Sequence, residues 1–313
     1  MQTASHVSDF PAALAPSSRL VDYYELTKPR MNFLVLVTTA MGFYMASRGP
    51  LDWRLLLYTL AGAALTAAGA AVLNQLVERH FDANMRRTYN RPLAAGRISP
   101  SEALALGVLL SVLGILVLLR WVNPLTAALD AATVGIYVFV YTPLKRITTL
   151  CTIVGAIPGA LPTVMGWTAG NVVLSNEVLA TRLPQAAALF GILFFWQLPH
   201  FLAIAILYKE DYARAGFKML PVVDPDLRAT GLQIVVWSLA LVPVTLLPAV
   251  LPGELRMTGP LYFFAALLLG VAFIGFAAIC AIKRRRLEAR QLFFASIVYL
   301  PLLTICMVID KVR

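Results

Sequence analysis

Residues 59–82, TLAGAALTAAGAAVLNQLVERHFD, decide how the fold is interpreted. Up to Leu73 the stretch holds only alanine, glycine, leucine, valine and two threonines, and from Asn74 onward it turns abruptly polar. Such a run is typical of a helix that crosses the hydrocarbon of a bilayer, which takes about 20 apolar residues. The charged end predicts that this helix emerges at one membrane face.

The rest of the chain repeats this alternation. Of its 313 residues 59% are hydrophobic and 13% are charged, and the mean hydropathy is +0.77. A soluble domain carries roughly a quarter charged residues. Because lipid leaves no partner for unpaired backbone groups, the long apolar runs indicate helices. We predict an all-α, polytopic membrane protein with nine transmembrane helices, at 31–47, 55–76, 102–120, 124–142, 150–169, 186–207, 230–251, 260–282 and 291–310.

Basic residues are unevenly distributed between the predicted loops. With nine spans, 19 of the 26 Lys and Arg residues fall on the side that holds the N-terminus. The positive-inside rule then places the N-terminus in the cytoplasm, so the net charge of +10 reflects topology and not nucleic-acid binding. We expect residues 1–20 to be a flexible cytoplasmic tail, residues 21–313 to form a single domain, and the protein to lie in a bacterial inner membrane.

A polar stripe is expected where the quoted helix ends. Asn74, Glu78 and Asp82 recur every four residues, which places them on one helix face. An amide oxygen and two carboxylates are hard ligands of the kind Mg²⁺ prefers, often together with substrate phosphates. Arg86 and Arg91 follow, and guanidinium groups suit diphosphate oxygens, although arginines beside a membrane are also common topology anchors. The stripe therefore predicts a metal site.

A second polar group follows the sixth predicted span. Glu210 and Asp211 emerge on the same membrane side as Asp82, next to Lys209. Deeper in that span lies His200, and an ionisable residue inside a membrane is a functional hypothesis by default. The alternative is a neutral histidine that is hydrogen-bonded to a neighbouring helix.

Further short segments carry a resemblance to a known family. Besides the polar stripe they are ELTKPR at 25–30, YTPLKR at 141–146, WQLPHF at 196–201 and EDYARAGFKMLPV at 210–222. Over residues 22–310 the chain resembles the UbiA-type intramembrane prenyltransferases, and within them the branch that farnesylates haem. It departs from other branches in having His200 and the Glu210–Asp211 pair in place of a second aspartate-rich motif, and from the usual pattern in having Glu78 where the family carries Asp.

The resemblance implies a fold, a reaction and a set of roles. The nine helices would surround a central cavity, and a farnesyl group would pass from farnesyl diphosphate to a vinyl group of haem b (protohaem IX), with addition of water, to give haem O for terminal oxidase assembly. His200 would orient the haem, ligate its iron or handle a proton, and a haem A synthase or an oxidase assembly factor would be a partner. The implied Mg²⁺ ligands are Asn74, Glu78, Asp82 and Asp211, and the implied diphosphate ligands are Arg86, Arg91, Lys145, Arg146 and Lys209.

Two other functions fit parts of the pattern. A prenyltransferase of the same family could act on an aromatic acceptor such as 4-hydroxybenzoate. A secondary transporter would also have many spans and buried polar residues such as Asp130 and His200. Transporter sites lie near the bilayer midplane, however, whereas the acids here gather at one membrane face.

Overall fold

The structure is a computed structural model that describes residues 18–170 and 176–312. Most of the predicted tail, residues 1–17, therefore lies outside the described residues. Arg19 and Leu20, the last two residues of that tail, already belong to the first helix.

The described residues form helices and no β-strand, which confirms the all-α prediction. One isolated bridge pairs Thr258 with Lys311. In chain order the helices are α1 Arg19–Leu26, α2 Pro29–Ala46, α3 Trp53–Asp82, α4 Pro100–Trp121, α5 Pro124–Gly135, a π-helical segment Ile136–Tyr141, α6 Thr142–Leu144, α7 Cys151–Gly170, α8 Asn176–Leu207, α9 Lys209–Arg214, α10 Leu220–Val223, α11 Arg228–Val250, a 3₁₀ turn Gly253–Leu255, α12 Pro260–Lys283 and α13 Arg286–Ile309.

Eight of the described helical segments are long and apolar enough to cross a membrane, which makes the chain a multi-pass membrane protein. The predicted number of nine is not confirmed. The segment missing from the eight is the first predicted span, which corresponds to α2. This helix has 18 residues, and Arg30 and Asn32 in its first turns lower its hydropathy. It nevertheless packs closely along α7.

Glycines bring α3 and α4 into backbone contact. Gly62 and Gly69 on α3 face Gly114 and Gly107 on α4, with a spacing of seven residues on each helix. A Cβ atom added at Gly69 would lie 2.6 Å from the carbonyl oxygen of Gly107, and one at Gly114 would lie 2.6 Å from that of Gly62. Small residues allow such close approach inside membranes, where packing drives helix association. This contact holds α3, which carries the polar stripe.

The helix that leads to Lys145 changes its winding before Pro143. Residues Ile136–Tyr141 are π-helical, and the backbone N–H of Thr142 reaches back to the carbonyl of Tyr137. The Thr142 hydroxyl donates to that same carbonyl at 2.8 Å. A proline has no N–H and its ring clashes with the carbonyl four residues earlier, so an α-helix cannot continue unchanged into Pro143. The wider turn carries the helix past the proline and sets the direction of Thr142 and Lys145.

Candidate active site

The predicted polar stripe is buried at the end of α3. Asn74 and Asp82 are each 1% exposed and Glu78 is 4% exposed. Uncompensated charges are costly at such positions, so each acid needs a partner. The structure supplies a cationic side chain for every member of the stripe: Lys28 Nζ to Asn74 Oδ1 at 2.9 Å, Lys145 Nζ to Glu78 Oε1 at 2.7 Å, and an Arg91 guanidinium nitrogen to Asp82 Oδ2 at 2.7 Å.

Lys28 is a site residue that sequence reasoning did not assign. It lies in the turn between α1 and α2 with a left-handed φ of 47°, and Pro29 begins the next helix. Burial lowers the pKa of Lys28 to about 7, with a further contribution from the nearby Arg91 guanidinium. Its partner Asn74 also donates from Nδ2 to the Thr142 hydroxyl at 3.0 Å, which ties α3 to α6. The sequence signal that pointed to Lys28 was its position inside the ELTKPR segment, which is part of the family resemblance.

Lys145 pairs with Glu78, the middle member of the stripe. Burial disfavours its charged form, but the Glu78 carboxylate and the Tyr141 and Tyr137 side chains together outweigh this effect, and the pKa of Lys145 is raised. Its Nζ also lies 4.5 Å from the centre of the Tyr141 ring. Tyr141 stacks on Tyr137 with ring centres 5.6 Å apart, and both rings project from the π-helical segment. Lys145 is therefore a fixed, protonated donor.

Helix α9 brings the second acidic region to the same end of the molecule. Asp211 is buried, and its Oδ1 accepts from the backbone N–H of Arg86 at 3.3 Å and from the Arg214 guanidinium. This contact joins α9 to the loop that follows Asp82. Glu210, its neighbour in sequence, is exposed, so the two acids have different surroundings.

A cavity of about 380 Å³ lies beside Glu78. The Arg146 guanidinium forms part of its wall and lies 4.5 Å above the centre of the Phe81 ring. Val77 and Ile147 also contribute to the wall and are themselves exposed, so the cavity opens to the surface. Its lining residues are Val77, Glu78, Phe81, Thr142, Pro143, Arg146, Ile147 and Phe217. One acid and one guanidinium thus face a largely apolar space.

The remaining predicted residues have other surroundings. Lys209 Nζ donates to the carbonyl of Pro225 at 3.2 Å. Arg86 is exposed, and only its backbone N–H contacts Asp211. Asp130 is buried in α5, and its Oδ2 accepts no hydrogen bond from a described residue.

His200 lies on α8 and packs against α13. Its ring stacks with Trp196 and with Phe293, at centroid distances of 4.9 and 5.2 Å. Its Nδ1 lies 2.7 Å from Ser296 Oγ, and that hydroxyl donates its proton to the Phe293 carbonyl at 2.6 Å. Since Ser296 has only one proton to donate, Nδ1 must be the donor to Ser296 and Nε2 keeps its lone pair.

The oxygen donors on α3 suit a hard cation. Asp82 Oδ1 is buried and accepts no hydrogen bond from a described residue, so it retains a lone pair for a further partner. Among the described residues no group of three or more His, Cys, Asp and Glu side chains is close enough to enclose a metal ion. Mg²⁺ usually takes one or two carboxylates and completes its octahedron with waters and phosphate oxygens. Asp82 and Glu78, with the amide of Asn74, fit this mode.

Comparison with known sequences identifies relatives over nearly the whole chain. The sequence model described as "UbiA prenyltransferase family" matches residues 35–298. A protein named protoheme IX farnesyltransferase from Solibacter usitatus is 45% identical over 93% of this chain and 98% of its own length. A protein of the same name from Koribacter versatilis is 43% identical over 94% of each chain.

Solved structures show the same fold at low sequence identity. A digeranylgeranylglyceryl phosphate synthase superposes with a TM-score of 0.74 at 16% identity, over 94% of this chain and 99% of its own. A UbiA homologue from Archaeoglobus fulgidus, bound to GPP and Mg²⁺, superposes with a TM-score of 0.61 at 16% identity, over 91% and 99%. The extent of the family match and the identity to these relatives show that the chain belongs to the UbiA prenyltransferase family.

Proposed function

We propose that this protein transfers a farnesyl group from farnesyl diphosphate to a vinyl group of haem b, with addition of water, and so produces haem O. The observation that carries the proposal is the buried polar stripe, in which Asn74, Glu78 and Asp82 are each paired with a cationic side chain. Glu78 also lines a largely apolar cavity. The relatives named protoheme IX farnesyltransferase support the choice of substrates.

The polar stripe would bind the metal ion, and the cations beside it would bind the diphosphate. Asn74, Glu78 and Asp82 would hold Mg²⁺, and Asp211 would reach the ion through its waters. The ion, when bound, supplies positive charge to the leaving diphosphate. Lys28, Lys145 and Arg91 would then donate to the diphosphate oxygens. Arg146 reaches the same cavity, and Arg86 lies where the loop after α3 meets α9. The described contact of the Lys209 side chain is with the Pro225 carbonyl, and it gives no support for a role of Lys209 in diphosphate binding.

The reaction breaks the bond between farnesyl C1 and the diphosphate oxygen, and the electron pair leaves with the diphosphate. Lys145 stabilises the developing negative charge because its pKa is raised and it remains protonated. Phe81, Phe217 and Ile147 give the prenyl group an apolar wall that keeps bulk water from the cation. The haem vinyl group attacks C1, and one water captures the resulting cation and loses a proton. His200, through Nε2, would accept that proton, ligate the haem iron or orient the haem.

We also propose a location and partners for the protein. The protein would lie in the bacterial inner membrane as a single prenyltransferase domain spanning residues 21–313, with its N-terminus in the cytoplasm. Its product would pass to a haem A synthase or to an assembling oxidase.

The experiment is a conversion assay in a host that lacks its own haem O synthase. Membranes that contain this chain receive haem b, farnesyl diphosphate and Mg²⁺, and the products are identified by mass spectrometry. Formation of haem O is expected. If the protein is present in the membrane and no haem O forms, the proposal fails. Prenylation of 4-hydroxybenzoate in a parallel reaction would instead establish an aromatic acceptor.

A further inference from the structure

A second cavity lies on the outer surface of the bundle, away from the polar stripe. It has a volume of about 450 Å³ and runs between α12 and α13. Two alanines and four aromatic residues dominate its lining, and Gln291 is the polar side chain at one end. The lining residues are Leu269, Ala272, Phe273, Phe276, Gln291, Phe294, Ala295, Val298 and Tyr299. We refer to these residues as the α12–α13 groove.

The α12–α13 groove begins next to a strongly basic turn. Lys283, Arg284, Arg285 and Arg286 are consecutive, and Arg290 follows one turn later. Lys283 pairs with Glu288 at 3.8 Å, and Arg284 donates to the carbonyl of Asp226 at 3.4 Å. Arg286 and Arg290 are exposed, and among the described residues no acid forms an ion pair with either of them.

Register links the unpaired arginines to the groove. Arg286, Arg290, Phe294 and Val298 are spaced by four residues along α13, and so they form one stripe on the helix surface. The Arg290 guanidinium lies 5.6 Å from the centre of the Phe294 ring, which is part of the groove wall. The positive-inside rule accounts for basic residues at this end of the helices, but it does not require them to align with an apolar groove.

The dimensions match a lipid with its phosphate at the turn. From Gln291 to Tyr299 the groove follows α13 for about 12 Å at ~1.5 Å per residue, which is within the hydrocarbon half-thickness of about 15 Å. Arg286 lies about one and a half turns before Gln291, at the level where headgroups meet a transmembrane helix end. A cationic pair above an apolar groove complements an anionic head with an acyl chain.

We propose that the α12–α13 groove and the Arg286–Arg290 pair form a binding site for an anionic phospholipid. One acyl chain lies in the groove and the phosphate accepts hydrogen bonds from the two guanidinium groups. Arginine suits this role because its planar fork can donate to two phosphate oxygens at once. None of these residues belongs to the polar stripe, so lipid binding here is independent of the proposed reaction.

The test is lipid retention by the full-length protein. The chain is reconstituted with equimolar phosphatidylglycerol and phosphatidylcholine, extracted in mild detergent, and its bound lipids are counted by native mass spectrometry. Wild type should retain phosphatidylglycerol in preference to phosphatidylcholine. The Arg286→Gln/Arg290→Gln protein should lose roughly tenfold or more of that preference. The matched control Arg54→Gln/Arg120→Gln removes two exposed arginines at the other ends of the helices and should keep it.

A groove-filling variant separates headgroup from chain recognition. Ala295→Trp leaves both arginines in place and should reduce retention of phosphatidylglycerol, and melting temperatures check that each variant is folded. Equal retention of the two lipids by wild type would overturn the proposal, as would unchanged preference in Arg286→Gln/Arg290→Gln. The proposal would also fail if the wild-type protein is a dimer and Ala295→Trp dissociates it, because a second copy of the chain would then occupy the groove.

Discussion

Lys145 Nζ lies 2.7 Å from Glu78 Oε1, and the two side chains are 13% and 6% exposed. A buried ion pair of this kind contributes little net stability, but removal of one partner leaves an uncompensated charge. Glu78 also lines the cavity where the prenyl diphosphate is proposed to bind. This ion pair is therefore expected to contribute more to catalysis than to folding stability.

Glu78→Gln should reduce prenyl transfer by roughly 100-fold or more, because it removes a proposed metal ligand and leaves the Lys145 charge without its partner. The measurement is the initial rate of haem farnesylation, with protein in the membrane quantified by blotting. Glu210→Gln is the control, since Glu210 is an exposed acid at the same end of the molecule and should retain full activity. A Glu78→Gln protein with wild-type rate would remove Glu78 from the metal site.

Lys28→Met should weaken binding of the prenyl diphosphate. A charge-assisted hydrogen bond contributes about 1.5–3 kcal/mol, which corresponds to roughly a 10- to 100-fold rise in KM for farnesyl diphosphate. Steady-state kinetics with varied diphosphate measures this change. Arg30→Gln is the control variant, because Arg30 is exposed and makes no described contact with the polar stripe. Similar kinetic effects of the two substitutions would argue against a specific role for Lys28.

Ser296→Ala should change the tautomer of His200. In wild type the Ser296 hydroxyl gives its proton to the Phe293 carbonyl, so it accepts from Nδ1 and leaves Nε2 unprotonated. Nitrogen NMR on histidine-labelled protein should show this tautomer, and His200→Gln assigns the signal among the three histidines of the chain. A loss of Nδ1 protonation with a fall in kcat is expected for Ser296→Ala. An unchanged nitrogen spectrum would show that Ser296 does not set the tautomer.

Gly69→Ala should destabilise the protein by about 1–3 kcal/mol, the usual effect of an extra methyl group in a filled contact. The added Cβ would meet the Gly107 carbonyl oxygen at 2.6 Å. Gly275→Ala is the matched control, since a Cβ there meets no atom within 4 Å and alanine favours a helix more than glycine. Thermal unfolding in detergent should rank the three proteins with Gly69→Ala lowest. Equal melting temperatures would contradict the close packing of α3 on α4.

Local spacing predicted much of this architecture. The row of Asn74, Glu78 and Asp82 follows from the helical repeat, and the apolar runs predict the helices. Lys28 escaped prediction because its approach to Asn74 depends on a left-handed residue in a turn, which the pattern of charges does not reveal. Lys209 and Asp211 are two residues apart, yet one reaches the Pro225 carbonyl and the other the backbone of Arg86. Such differences arise from tertiary packing, which the spacing of residues in the sequence does not reveal.

The π-helical segment before Pro143 sets the rotation of Lys145 around the helix axis. A π-turn contains one residue more than the α-helical turn it replaces, and one residue corresponds to about 100° of rotation around the helix axis. If the same residues wound as a regular α-helix, that extra residue would turn Lys145 by about 100° away from Glu78, although no site residue had been altered. The position of this cation therefore depends on the π-turn absorbing one residue, and a substitution that forced regular α-helical winding there would be as consequential as a change of the lysine itself.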